Sequence, residues 1–282
     1  MHKIKLVTDS TSDLSPELIK KHDIEVVPLH VLFKDRQYRD NVDLNTSEMY
    51  ELIKQKNQIP TTAAVSVGEF TEVFRKYLDQ GYEIIFIGIG KNFSATYQSA
   101  YAAKSELGSD SIYLVESGNL SSGTGLLVLK AAKFRDEGLS APQIKKKLDE
   151  LVPKVRTQFV LDTLEYLYKG GRLNALSKLF GTMLKIKPII KVRDGSMAVG
   201  KKGRGNIRAG IDIMLNEALL EKDAIDEDFL MVTHSLTYEN AEYIKKRLKA
   251  ELKVKNIYET NAGCVISSHC GKGTIGILYI VK

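Results

Sequence analysis

The chain begins as an alternation of short apolar runs and longer amphipathic ones. Ile4–Val7 is apolar apart from Lys5 and ends in the polar cluster Thr8-Asp9-Ser10-Thr11-Ser12-Asp13. Ser15-Pro16-Glu17 marks a helix start, with serine as cap and proline at the first helical position. Glu25–Leu29 predicts a second strand, Ser47–Lys56 a helix, and Val67–Gln80 another that opens after Ser66. Glu83–Ile89 is almost wholly apolar, as a strand buried on both faces must be. Ala95–Leu107 reads as helix, Ser111–Val115 as strand, Gly123–Glu137 as a long apolar helix and Ser140–Leu151 as a charged one. This order predicts a mainly parallel sheet with helices on both faces, a three-layer α/β domain over 1–155. Such sheets place ligands beyond the carboxyl ends of their strands. The polar clusters after Val7, Ile89 and Val115 fall there.

The pattern changes near residue 155. Val155–Leu161 reads as a strand, and Leu164–Tyr168 and Leu173–Leu184 as helices around Gly170-Gly171. Pro188–Val192 and Met197–Val199 flank Asp194-Gly195, a hairpin signal. Ile207–Leu220 and Tyr238–Leu252 are helical patterns, and Phe229–His234, Asn256–Glu259 and Ile275–Val281 are strands. Hairpins mixed with helices predict a smaller α+β domain over 156–282, with a mixed or antiparallel sheet. Hence the expected fold class is α/β in two domains.

Four polar clusters carry candidate chemistry. The Thr8–Asp13 run either lines the ligand edge through Asp9 and Ser10 or is a turn held by its own side chains. Pro60-Thr61-Thr62-Ala63-Ala64-Val65-Ser66 is a loop of small residues with two adjacent hydroxyls. Ser94 follows a buried strand and opens a helix, as an N-cap or an anion donor. Ser267-Ser268-His269-Cys270-Gly271 reads as a loop before the last strand, with an imidazole able to donate or act as a base. Arg172, after Gly170-Gly171, is either an anion clamp or a structural arginine on loop carbonyls. Ser94 and His269 would also suit a Ser/His acyl hydrolase, although no G-x-S-x-G elbow and no orienting acid is visible.

Composition narrows the partners. The formal net charge is +6 and the pI about 9.0. That excess suits an anionic ligand, an acidic partner or transient contact with an anionic membrane surface. No Lys/Arg-dense helix or aromatic-interleaved basic stripe is present, so nucleic acid is not an expected partner. The two cysteines, Cys264 and Cys270, do not make a disulfide framework, and neither a metal site nor a cofactor is expected. Met1-His2-Lys3 runs straight into the first strand, and no apolar run is long enough to span a bilayer, so a cytoplasmic location is expected.

Taken in order, these segments resemble the DegV family over essentially the whole chain. Val7-Thr8-Asp9-Ser10-Thr11-Ser12-Asp13-Leu14 resembles the opening VTDSTADL. Pro60-Thr61-Thr62 with Ser66-x-Gly68-Glu69-Phe70, Ser94-Ala95-Thr96-Tyr97-Gln98-Ser99-Ala100, and Asp162–Leu167 followed by Lys169-Gly170-Gly171-Arg172 resemble further motifs. Ile186-Lys187-Pro188-Ile189 and Ser268-His269-x-Gly271-x-Gly273-x-x-Gly276 complete the series. The resemblance implies a binding subunit, not an enzyme, with a ligand tunnel between its two domains. It would bury a long-chain fatty acid such as palmitate, stearate or oleate and present the carboxylate to a separate cytoplasmic fatty acid kinase, for phosphorylation to an acyl phosphate and use in phospholipid metabolism. It implies Thr62, Ser94 and His269 as carboxylate ligands, with Thr61, Arg172 and Ser268 in support. Lys202, Arg204 and Arg208 would face the kinase. The chain departs from the family at Ala63-Ala64-Val65, where Ser-Gln-Pro is usual, at Gly90-Lys91-Asn92, and at Glu116. A hydrolase and a carrier of another small anion are the alternative functions.

Overall fold

Residues 3–172 and 186–282 are described in this computed structural model of the chain. The predicted helix Leu173–Leu184 lies outside them. The first sheet is parallel throughout, in the order β2 (Ile24–Val27), β1 (Ile4–Asp9), β6 (Glu83–Gly88) and β7 (Ile112–Glu116). The second has six strands: β10 (Ser196–Arg204), β9 (Ile186–Arg193), β8 (Val155–Val160), β13 (Ile275–Val281), β11 (Ile225–His234) and β12 (Asn256–Asn261). Only its β11–β12 pair is parallel. The expected fold class, a parallel sheet followed by a mixed one, is the one observed.

Side-chain alternation along the strands arranges the layers. On β1, Leu6 enters one core and Val7 another. The Val7 core is covered by α2 (Thr46–Lys56), α3 (Val67–Leu78) and α4 (Thr96–Leu107), with Phe70, Phe74 and Phe86 packed edge to face or tilted. On β13, Leu278 and Ile280 face inward while Ile277 and Tyr279 face α8 (Ile207–Leu220) and α9 (Tyr238–Glu251). The inward sides of both sheets share one core. It is filled by α5 (Ser122–Asp136) with α6 (Ala141–Leu151) beside it, while Leu18 of α1 (Pro16–Lys21) packs at its edge.

α5 is therefore the shared layer. Every residue from Ser122 to Ala132 is buried, as a helix that is apolar all round must be. The charged member of that run, Lys130, reaches Asp226 and Asp228 on β11 at 2.7 and 2.6 Å. A buried ammonium is tolerated only when it is paired in this way.

Two features were not anticipated. A small antiparallel sheet, β4 (Gln37–Arg39), β3 (His30–Leu32) and β5 (Thr61–Ala63), holds the Pro60–Ser66 segment that reads as a loop in sequence. The segment around His269 is a short helix, α10 (Cys264–Cys270), and not a loop. A last helix, α7 (Glu165–Lys169), packs against α10. Among the described residues no helix is long and apolar enough to cross a membrane.

The shared core predicts a large cost for opening it. Leu127 is fully buried in α5, whereas Leu220 at the end of α8 is 81% exposed. Leu127→Ala should lose about 3 kcal/mol of unfolding free energy, and Leu220→Ala less than about 0.5 kcal/mol. Urea denaturation of both variants checks this contrast.

Candidate functional site

A cavity of about 200 Å³ opens at the carboxyl ends of the parallel strands, against the inner face of the second sheet. Its lining is mainly apolar, with Phe93, Leu120, Phe159, Leu167, Met197 and Leu278 as its larger side chains. Ile89, just beyond β6, and the turns that follow β6 and β7 contribute to it. This is the edge at which the sheet order placed a ligand. The volume far exceeds the roughly 10–15 Å³ that one water needs.

Thr62, Ser94 and His269 all lie on its wall. Thr62 is carried by β5, paired to Val31 of β3. His269 sits in the last turn of α10, and its Nε2 lies 2.9 Å from Thr62 Oγ1. Its Nδ1 is buried without a hydrogen-bond partner. Gly170 packs on that nitrogen. A Cβ at Gly170 would stand 2.1 Å from His269 Nδ1, so any side chain there would displace the ring. Burial, and then the nearby Arg172 guanidinium, lower the His269 pKa to about 4. The imidazole is neutral near pH 7. A bare buried N–H costs more than a bare lone pair, so we assign the proton to Nε2. His269 then donates to Thr62 Oγ1 and leaves the Thr62 hydroxyl proton for an acceptor in the cavity.

Ser94 plays a double part. Its Oγ lies 2.9 Å from Thr96 Oγ1 and accepts from Thr96 N at 3.3 Å, so it orders the start of α4 while reaching the cavity. The residue in the N-cap position is Ala95, one place later than expected for Ser94. Ser94 makes no bond to His269, and an imidazole held near 4 is a weak base. The arrangement therefore lacks the nucleophile–base pair of a Ser/His hydrolase. Arg172 lines the cavity and ties two loops. Its Nη1 donates to Gly170 O at 2.8 Å, and its Nε lies 3.4 Å from Phe93 O. The structural reading of this arginine holds, beside its position on the wall.

Other expected residues fall elsewhere. Thr61 precedes Thr62 on β5, so its side chain projects to the opposite face, where it is exposed. Ser268 is buried and donates to Val265 O at 2.8 Å within α10, off the cavity wall. Asp9 accepts from Ile89 N and Thr11 N, and Ser10 donates to Asp40, so neither contributes to the wall. Lys202 and Arg204 are exposed, yet they lie within β10, because the hairpin runs to Arg204 and does not end at Val199. Arg208 is half-buried, with its guanidinium 3.9 Å from the centre of the Tyr243 ring. A cation stacked on a ring is less free to meet a partner than an extended one.

Sequence reasoning missed part of the wall. Ser121, Thr157, Thr233 and Ser235 also line the cavity. All four of these hydroxyls are engaged inside the protein, Thr157 with Asn119 Oδ1 at 2.7 Å, Ser235 with Ser267 Oγ at 2.8 Å, Thr233 with Thr260 Oγ1 at 2.9 Å and Ser121 with Asp13. Isolated hydroxyls on strands and helix starts carry no local pattern that would have marked them. Among the described residues no group of three or more His, Cys, Asp or Glu side chains is arranged to hold a metal.

The family model described as an uncharacterised protein of the DegV family matches residues 3–282. A DegV domain-containing protein of Clostridium acetobutylicum is 38% identical over the full length of both chains. A solved structure described as fatty acid binding of a DegV family protein from Thermus thermophilus is 28% identical, with a TM-score of 0.92 over 99% of this chain and 100% of that one. Another, described as a fatty acid (stearic acid)-binding protein from Eubacterium ventriosum, is 30% identical, with a TM-score of 0.88 over 100% of this chain and 99% of that one.

The buried imidazole has a measurable signature. In an NMR titration, His269 should stay neutral until the pH approaches about 4. Its folded pKa lies below the unfolded value of about 6.5, so the unfolded state binds the proton first. The associated stability is present at neutral pH and is lost as pH falls from 6.5 towards 4. Gly170→Ala should push the ring out, weaken its bond to Thr62 and raise its pKa towards 6.5. An unchanged titration in that variant would refute the role given to Gly170.

Proposed function

The chain belongs to the DegV family, and we propose that it binds one long-chain fatty acid and presents the carboxylate to a separate kinase. The observation that carries this reading is a mainly apolar cavity whose wall bears the Thr62 and Ser94 hydroxyls and a neutral imidazole. A buried carboxylate is costly unless its oxygens are hydrogen-bonded. Thr62 and Ser94 are donors of the right kind, with His269 behind Thr62. The two solved relatives described as fatty-acid-binding support the same ligand class.

The energetics agree. Burying about 14 methylenes at ~0.8 kcal/mol each gives roughly 11 kcal/mol of transfer free energy. Ordering and association oppose part of it. Donors without a fixed counter-charge leave a carboxylate oxygen available as a nucleophile towards a phosphoryl group. The phosphate donor and its metal would come with the kinase, so this chain is a substrate-presenting subunit. Lys202 and Arg204, exposed at the end of β10, are the residues we propose to face that partner.

Native mass spectrometry of protein purified from bacteria should show a bound fatty acid that was never added. Lipid-free protein under gentle conditions would count against the reading, and an extracted sugar phosphate or other small anion would replace it. Thr62→Ala and Ser94→Ala should each weaken oleate binding by about 1–3 kcal/mol, the cost of a buried oxygen left without its donor.

Arg204→Glu should leave oleate occupancy intact and slow acyl phosphate formation by a cognate kinase. The defect should depend on salt, because exposed charges are screened over about 8 Å at physiological ionic strength. Loss of lipid in that variant would place Arg204 in the pocket and sink the docking assignment.

A further inference from the structure

The Thr8–Asp13 cluster stands off the cavity wall except through its neighbours, yet its side chains are almost wholly buried. Its partners explain why. Asp13 Oδ1 accepts from Gly263 N at 2.8 Å, and Asp40 Oδ1 accepts from Cys264 N at 2.7 Å. These are the N-cap and first helical N–H groups of α10, the helix that ends in His269. Asp40 is itself held, because Ser10 Oγ donates to its Oδ2 at 2.8 Å while accepting from Leu29 N at 3.1 Å. Ser121 Oγ donates to Asp13 Oδ2. The fit is close. A Cβ on Gly263 would lie 2.6 Å from Asn41 Nδ2 and 3.0 Å from Asp40 Oδ1, so the backbone approaches these groups only as glycine.

α10 has seven residues. A helix that short does not hold its own shape, because isolated helices below roughly 12–15 residues are marginal in water. Its position is set by its surroundings: Val265 packs in the core, Ser267 bonds Tyr50 and Ser235 at mid-helix, and both ends are gripped. The far end meets Gly170 and Thr62 through His269. The near end has four N–H groups without helical partners and a positive dipole end, which carboxylates satisfy best. Asp13 and Asp40 are 3% and 1% exposed, so the bonds to them are not diluted by water.

We propose that Asp13 and Asp40 are positioning residues for His269: they fix the N-terminus of α10, and the helix carries that placement to the imidazole that meets Thr62. The ligand readout below rests on the fatty-acid reading, whereas the ring readout does not. A purely structural role would lower stability without moving either.

The test uses the full chain, stripped of lipid, at pH 7.5. Burial holds the Asp40 carboxyl up at about 6, so it is ionised there. The His269 ring resonances are identified by their loss in His269→Ala. Asp40→Ala should shift those resonances and weaken oleate binding about tenfold, the equivalent of about 1.4 kcal/mol. Asp40→Asn, whose amide oxygen still accepts from Cys264 N, should stay within about twofold of the parent. Ser10→Ala, a milder loosening that folds even if Asp40→Ala does not, should shift the ring in the same direction by less. Leu148→Ala, destabilised in the core of α6, should lose thermal stability and leave ring and affinity unchanged. In a His269→Ala background, Asp40→Ala should cost less than about twofold in oleate affinity, since its effect passes through the imidazole. Unmoved ring resonances in both Asp40→Ala and Ser10→Ala would overturn the proposal. So would the same tenfold loss with His269 already removed. A parent chain that binds no oleate would defeat the fatty-acid reading, and the ring measurement would still judge the clamp.

Discussion

Both sheets rest on one helix that has no polar face to offer to water along its buried length. α5 is buried from Ser122 to Ala132, and its apolar side chains fill the layer between the parallel sheet and the six-stranded one. Removing either sheet would leave that layer uncovered. The two halves are therefore held by a shared core and not by a surface contact. Lys130 adds a directional element, because its ammonium has to find Asp226 and Asp228 for the helix to be buried at all. The start of the same helix brings Ser121 to the cavity and to Asp13. The helix that joins the sheets thus also places one wall of the site.

The site itself is built from short pieces that could not stand alone. β5 has three residues and α10 has seven. Thr62 and His269 come from opposite ends of the chain and meet across 2.9 Å. Their meeting depends on what is absent as much as on what is present. Gly170 leaves room for the ring, and Gly263 lets the backbone reach two buried carboxylates. The glycine pair before Arg172 attracts attention in sequence because of the arginine. In the folded chain its first member decides whether the imidazole fits.

Local patterns gave away much of this architecture. Ser15 accepts from Leu18 N and Ser66 forms a capping box with Glu69, as the cap signals imply. Glu83–Gly88 is a strand buried on both faces, as its unbroken apolar run implies. The Asp194-Gly195 turn joins β9 to β10. What escaped were elements whose stability is not local. β5 is too short to show a period, and Ser267–Gly271, mostly within the short helix Cys264–Cys270, reads as a loop because Ser267, Ser268 and Gly271 lack helical propensity. The first N–H groups of that helix are met by Asp13 and Asp40, more than 220 residues away.

The sequence by itself determined the α/β class, with a parallel sheet followed by a mixed one, while the resemblance to the family singled out Thr62, Ser94 and His269, which line the cavity. Hydrophobic period and turn chemistry are properties of neighbouring residues, so they can be read along the chain. The tertiary structure alone decided the state and reach of each group. It exposes Thr61 and turns Ser268 inward, although each is adjacent to a wall residue. It stacks Arg208 on Tyr243. It also keeps His269 neutral, because burial beside Arg172 is a property of a place in space and not of a position in the chain.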